Sequence, residues 1–138
     1  MNVLRAVGAV AALGLALASG ALAASPAHAA AGEYNGACGI GYEVVDQVAI
    51  GNSGTTFLAH NNHTGHHCAV TVRATPGEPV ETVVGLKRTP DDPRHAVYHS
   101  GHHAAYAGPV YLHTAGTCVD WFGYIGGDNG HRNGTDCG

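Results

Sequence analysis

The chain has 138 residues, with six Lys or Arg against ten Asp or Glu and a formal charge of −4 when histidine is neutral. That balance excludes a nucleic-acid binder: phosphate neutralisation needs a Lys/Arg surface, and beyond the N-terminal segment only Arg73, Lys87, Arg88, Arg94 and Arg132 are available. Twenty-one glycines, and runs of β-branched and aromatic residues between turn signals, exclude a helical protein and predict an all-β chain.

The first 29 residues read as a Sec-type signal peptide. Arg5 is a thin positive start, Ala6 to Leu17 is uncharged and apolar, and small residues follow to Ala27-His28-Ala29. The apolar run is about a dozen residues, short of the roughly 20 a membrane-spanning helix needs. Cleavage near Ala30 is expected to leave one secreted domain, residues 30–138, with no membrane association. That domain carries five basic and ten acidic residues, a formal charge of −5, and ten of the eleven histidines. Its surface charge is therefore pH-dependent.

Tyr34-Asn35-Gly36-Ala37-Cys38-Gly39 is a turn-rich lead-in. A first strand over Tyr42–Ile50 places Tyr42, Val44, Val48 and Ile50 on one face, and Asp46 on that face predicts a bulge or break. Strands follow at Thr55–His60 and at His67–Arg73, where Cys68, Val70 and Val72 are expected inward and Ala69, Thr71 and Arg73 outward. Val80–Leu86 is a fourth strand, ended by the polar loop Lys87–Pro93. A weaker fifth carries Ala96-Val97-Tyr98. Tyr106–His113 and Thr117–Tyr124, joined by Thr114-Ala115-Gly116, read as a hairpin with Val110, Leu112, Val119 and Trp121 in the core and Tyr111, His113, Cys118 and Asp120 outside. Gly126–Gly130 opens a glycine-rich tail. These elements predict a small antiparallel β-sandwich or partly open barrel.

Four cysteines in an oxidising compartment predict two disulfides. Of the three possible pairings the expected faces weakly disfavour the one with a Cys68 to Cys118 link. The preferred scheme joins Cys38 to Cys68, tying the lead-in to the third strand, and Cys118 to Cys137, pinning the tail across the hairpin. Each bridge closes a loop of roughly 20 to 30 residues, adding about 3 kcal/mol on a chain-entropy estimate.

Histidine density raises metal binding: His60, His63, His66 and His67 form one cluster, and His99, His102 and His103, with His95, a second. No H-E-x-x-H pattern accompanies them, so solvated loop residues are the preferred reading and no cofactor is expected. Ser53 and Ser100 lie in no nucleophile motif, and Asp46 and Asp120, the carboxylates closest to core residues, read as structural. No catalytic residue is assigned. The aromatics Tyr106, Tyr111, Trp121, Phe122 and Tyr124 offer a platform for sugar, with Tyr111 and His113 the residues expected to meet a surface component or cell-wall polymer.

The blocks Tyr34–Gly39, Cys68–Arg73, Tyr106–Tyr111 and Thr117–Trp121, with terminal Cys137-Gly138, resemble the spore-associated protein A family of streptomycetes and related actinobacteria. The resemblance spans essentially the whole secreted chain. It implies a small secreted protein, extracellular or on the surface of spores and aerial hyphae, with no established enzymatic activity. The histidine-rich loops depart from that pattern, so a metal role would belong to this chain and not to the family.

Overall fold

A computed structural model describes residues 32–138, and the signal peptide expected over 1–29 lies outside them. Eight strands are formed: β1 Glu43–Ile50, β2 Gly54–Asn61, β3 His66–Arg73, β4 Val80–Arg88, β5 Val97–His103, β6 Tyr106–His113, β7 Val119–Ile125 and β8 Asp128–Thr135. They make two antiparallel sheets, ordered β1-β2-β3-β6 and β5-β4-β7-β8, with one short 3-10 turn at Pro93–His95. The result is an open all-β sandwich with the bridges Cys38–Cys68 and Cys118–Cys137, as expected.

The boundaries of β1 to β4, β6 and β7 follow the sequence pattern, β5 runs on to His103 past the expected Ala96-Val97-Tyr98, and partnerships depart from the pattern. The expected hairpin over Tyr106–Tyr124 does not form: β6 pairs with β3 in one sheet, and β7 pairs with β4 and β8 in the other. The connection crosses between the sheets, anchored where Thr114 N–H donates to Gly65 O at 3.0 Å and Thr89 N–H donates to Cys118 O at 2.8 Å. Alternation sorts side chains onto two faces within a regular strand, but not across the β1 register shift, where Tyr42 and Val48 pack on opposite sides of the sheet. It carries no information about a strand's neighbour. The glycine-rich tail is also ordered, as β8, turning back from β7 through Gly126-Gly127.

The inter-sheet core is built from Leu58, Ala69, Val84, Leu86, Ala107, Val110, Val119 and Trp121. A second cluster lies on the far side of the first sheet, where Cys38, Tyr34, Ala37 and Tyr42 cover Phe57, Ala59, Cys68, Val70 and Val72. This reverses the expectation for β3. Ala69 faces the opposite sheet, while Cys68, Val70 and Val72 face the lead-in. Thr71 is buried, with its hydroxyl 2.7 Å from that of Thr56. A strand buried on both faces shows no clean apolar and polar alternation to orient it.

Side chains bridge the two open seams of the sandwich. Arg132 on β8 donates to Gln47 O at 3.3 and 3.4 Å and stands 3.5 Å from the Asp46 carboxylate, which sits at the register shift predicted for β1. His99 on β5 accepts the Gly108 N–H of β6 at 2.7 Å. At the centre the sheets meet at Gly123, where an added Cβ would lie 1.8 Å from Thr56 Oγ1 and 2.6 Å from Thr71 Oγ1. Gly123→Ala is therefore expected to destabilise by about 3 kcal/mol through overpacking, read as a lower urea midpoint with an unchanged slope.

Candidate functional site

The outward face of the β5-β4-β7-β8 sheet holds a groove of about 520 Å³, within the range of small-ligand sites. Its floor follows from a cross-strand row in which Tyr98, Gly85, Phe122 and His131 are successive neighbours on β5, β4, β7 and β8. Glycine within a strand often marks close approach, and here the approaching group is a ring. A Cβ at Gly85 would fall 2.1 Å from a Phe122 ring carbon. Phe122 thus lies across β4 and meets Tyr98, with ring centroids 5.8 Å apart and planes at 60°. Tyr124 and Asn129 form the next row, and Pro93, Ala96 and Asn133 contribute to the walls.

At one end of the groove Lys87 and Asp120 stand opposite each other, 3.2 Å apart. The Asp120 carboxylate also accepts from the Thr89 hydroxyl at 2.7 Å and from Gly134 N–H at 2.8 Å. Burial alone would raise its pKa. The Gly134 and Thr89 hydrogen bonds and the Lys87 ammonium outweigh burial and hold the carboxyl below the usual range. Lys87 Nζ also donates to the carbonyls of Arg88, Thr89 and Asp91 at 3.1, 2.8 and 3.0 Å. Asp120 is thus an anchor joining β4, β7 and β8.

The sequence pattern reads the clustered histidines as loop residues, but all except His63 and His95 lie on strands, spread over both sheets. His60 and His67 are cross-strand neighbours with rings 4.6 Å apart, His66 pairs with His113 at 5.1 Å, and His63 lies in the exposed turn between β2 and β3. His99 and His103 stack at 4.9 Å on β5, where His102 is exposed opposite Glu81. Accepting the Gly108 N–H occupies the His99 Nδ1 lone pair, so the neutral ring carries its proton on Nε2 and offers no ligand atom. Among the described residues no group of three or more His, Cys, Asp or Glu is placed to hold a metal ion.

Sequence reasoning missed a line of contacts from buried Thr114 through buried His67 to exposed Asp136, the outer two lying 47 and 69 positions from His67 along the chain. The His67 Nδ1 meets the Thr114 hydroxyl, and Nε2 meets the Asp136 carboxylate. This reverses the ring orientation of a hydrolase triad, in which the nucleophile meets Nε2 and the carboxylate meets Nδ1. Thr114 is also buried, at 2% exposure, and its hydroxyl reaches Gly65 O. These contacts fasten the tail to β3. Burial pushes the His67 imidazole below its ordinary 6.5, against the upward pull of Asp136, with His60 adding to the depression.

Tyr111 and His113 are exposed on the far face of the other sheet, as their parity predicted. Tyr111 is engaged with its own chain, however: its hydroxyl donates to Cys38 O at 2.9 Å, and its ring lies 5.5 Å from that of Tyr42.

No protein-family model matches the chain, and no solved structure does. Over 135 residues it is 42% identical to "Spore-associated protein A" of Streptomyces coelicolor, covering 98% of this chain and 85% of that protein. The chain belongs to the spore-associated protein A family. Its two disulfides accord with an oxidising compartment.

The depressed His67 pKa has a definite sign. The unfolded chain binds the proton more readily than the folded one, so stability falls as pH drops below about 6.5 and levels off beneath the folded value. In urea unfolding between about pH 7.5 and about pH 5, His67→Gln is expected to flatten this decline while lowering stability at neutral pH, through the lost Asp136 contact.

Proposed function

We propose that the protein is a non-catalytic secreted component of the spore or aerial-hypha surface, attached through the groove on its β5-β4-β7-β8 sheet. The observation that carries this reading is the Tyr98–Phe122 floor, which among the described residues is an open aromatic surface lying in a groove, whereas the exposed Tyr111 of the other sheet is tied by its hydroxyl to Cys38 O. Membership of a family named for spore association supports the location. The non-catalytic reading is supported by how the chemically suggestive groups are used. Asp120 holds three strands together, Asp46 faces Arg132, and the Thr114 hydroxyl is buried against His67 and Gly65.

A tagged copy followed through the developmental cycle is expected to accumulate on washed spores. Phe122→Ala should release it to the wash about ten-fold more readily, since an anchoring aromatic contributes about 1.4 kcal/mol or more. Tyr111→Ala, on the other sheet, should remain bound. Equal retention of the folded Phe122→Ala protein, or uniform presence in vegetative medium, would count against the reading.

A further inference from the structure

Resting on the groove as the attachment site, we propose that its occupant is an uncharged polysaccharide, a chain of pyranose units bearing hydroxyl or acetamido groups. The argument begins with charge. Among the described residues Lys87 is the only Lys or Arg lining the groove, and an ammonium has three donors. The Asp120 carboxylate and three main-chain carbonyls already surround it. A phosphate or carboxylate on a polymer would find no free cation there, and residues 30–138 add a formal charge of −5 that opposes a polyanion. A cationic polymer fares no better. Asp120, among the described residues the only carboxylate in the lining, is engaged by Thr89, Gly134 and Lys87.

The remaining surface matches a neutral sugar. Tyr98 keeps 55% of its surface exposed beside Phe122, so the two rings present flat apolar area to the C–H face of a pyranose. Around them stand Tyr124, His131 and the exposed amides of Asn129 and Asn133, groups that can both donate to and accept from hydroxyls and acetamides. Aliphatic side chains of the kind that seat an apolar peptide are few in this lining.

The test titrates the disulfide-intact secreted protein at near-neutral pH with chitotetraose, cellotetraose and an oligogalacturonate, read by calorimetry. Saturable binding of a neutral oligosaccharide is expected. It should change little between roughly 0.05 and roughly 0.5 M sodium chloride, a range that screens exposed charges. Tyr98→Ala and Phe122→Ala should each weaken it about ten-fold or more, with thermal melts verifying both folds. Tyr98 is the more exposed of the two, so its variant keeps the test decisive if Phe122→Ala unfolds. Salt-sensitive binding of oligogalacturonate alone would overturn the inference about charge and leave the groove as attachment site. Failure to bind any sugar while spore retention still depends on Phe122 would also overturn it, in favour of a protein partner. Spore retention indifferent to both variants would remove the underlying reading as well.

Discussion

The Cys38–Cys68 disulfide holds the lead-in over part of the outer face of the β1-β2-β3-β6 sheet, where Tyr34, Ala37 and Tyr42 pack on Phe57, Ala59, Val70 and Val72. The bridge spans 30 residues, worth about 3 to 4 kcal/mol by loop closure. Beneath it the Tyr34 ring meets Phe57 edge-on at 5.6 Å, and the Tyr111 hydroxyl fastens to Cys38 O. A domain of about 110 residues has limited core, and this arrangement gives it a second apolar cluster on one sheet. Among the described residues the other sheet has no such cover over its aromatic row.

The C-terminal tail is held by a different set of contacts. Cys118–Cys137 ties it to the crossing between sheets, Asp120 accepts the Gly134 N–H, and Trp121 Nε1 donates to the Thr135 hydroxyl at 2.9 Å. Asp136, immediately before the bridging cysteine, reaches His67 on the opposite sheet. Together these contacts seat β8 beside β7, where Asn129, His131 and Asn133 become a wall of the groove. Two residues that sequence alone offers as chemical, Asp120 and His67, therefore act by positioning the strand that completes a surface.

The groove combines exposed aromatic rings with charges that neutralise each other within it. Phe122 lies over Gly85 because that position on β4 has no side chain, and the ring reaches Tyr98 across the missing Cβ. A partner meeting this face gains from ring contact and hydrogen bonding more than from ion pairing. Such contact suits a non-catalytic attachment surface.

By itself the sequence determined the all-β class, most strand positions, the bulge at Asp46 and the outward placement of Tyr111, His113 and Asp120. Each depends on period-two alternation or on turn residues within a few positions, and such local signals survive without the fold. The correct disulfide pairing was also reached, although Cys68 faces the lead-in and not the inter-sheet core. Only the tertiary structure decided that β6 and β7 belong to opposite sheets, that β3 is buried on both faces, that the glycine-rich tail is a strand, and that Thr114, His67 and Asp136 meet. Strand pairing depends on partners far apart in the chain. So does the groove, where Tyr98, Gly85, Phe122 and His131 become a single row only once four strands lie side by side.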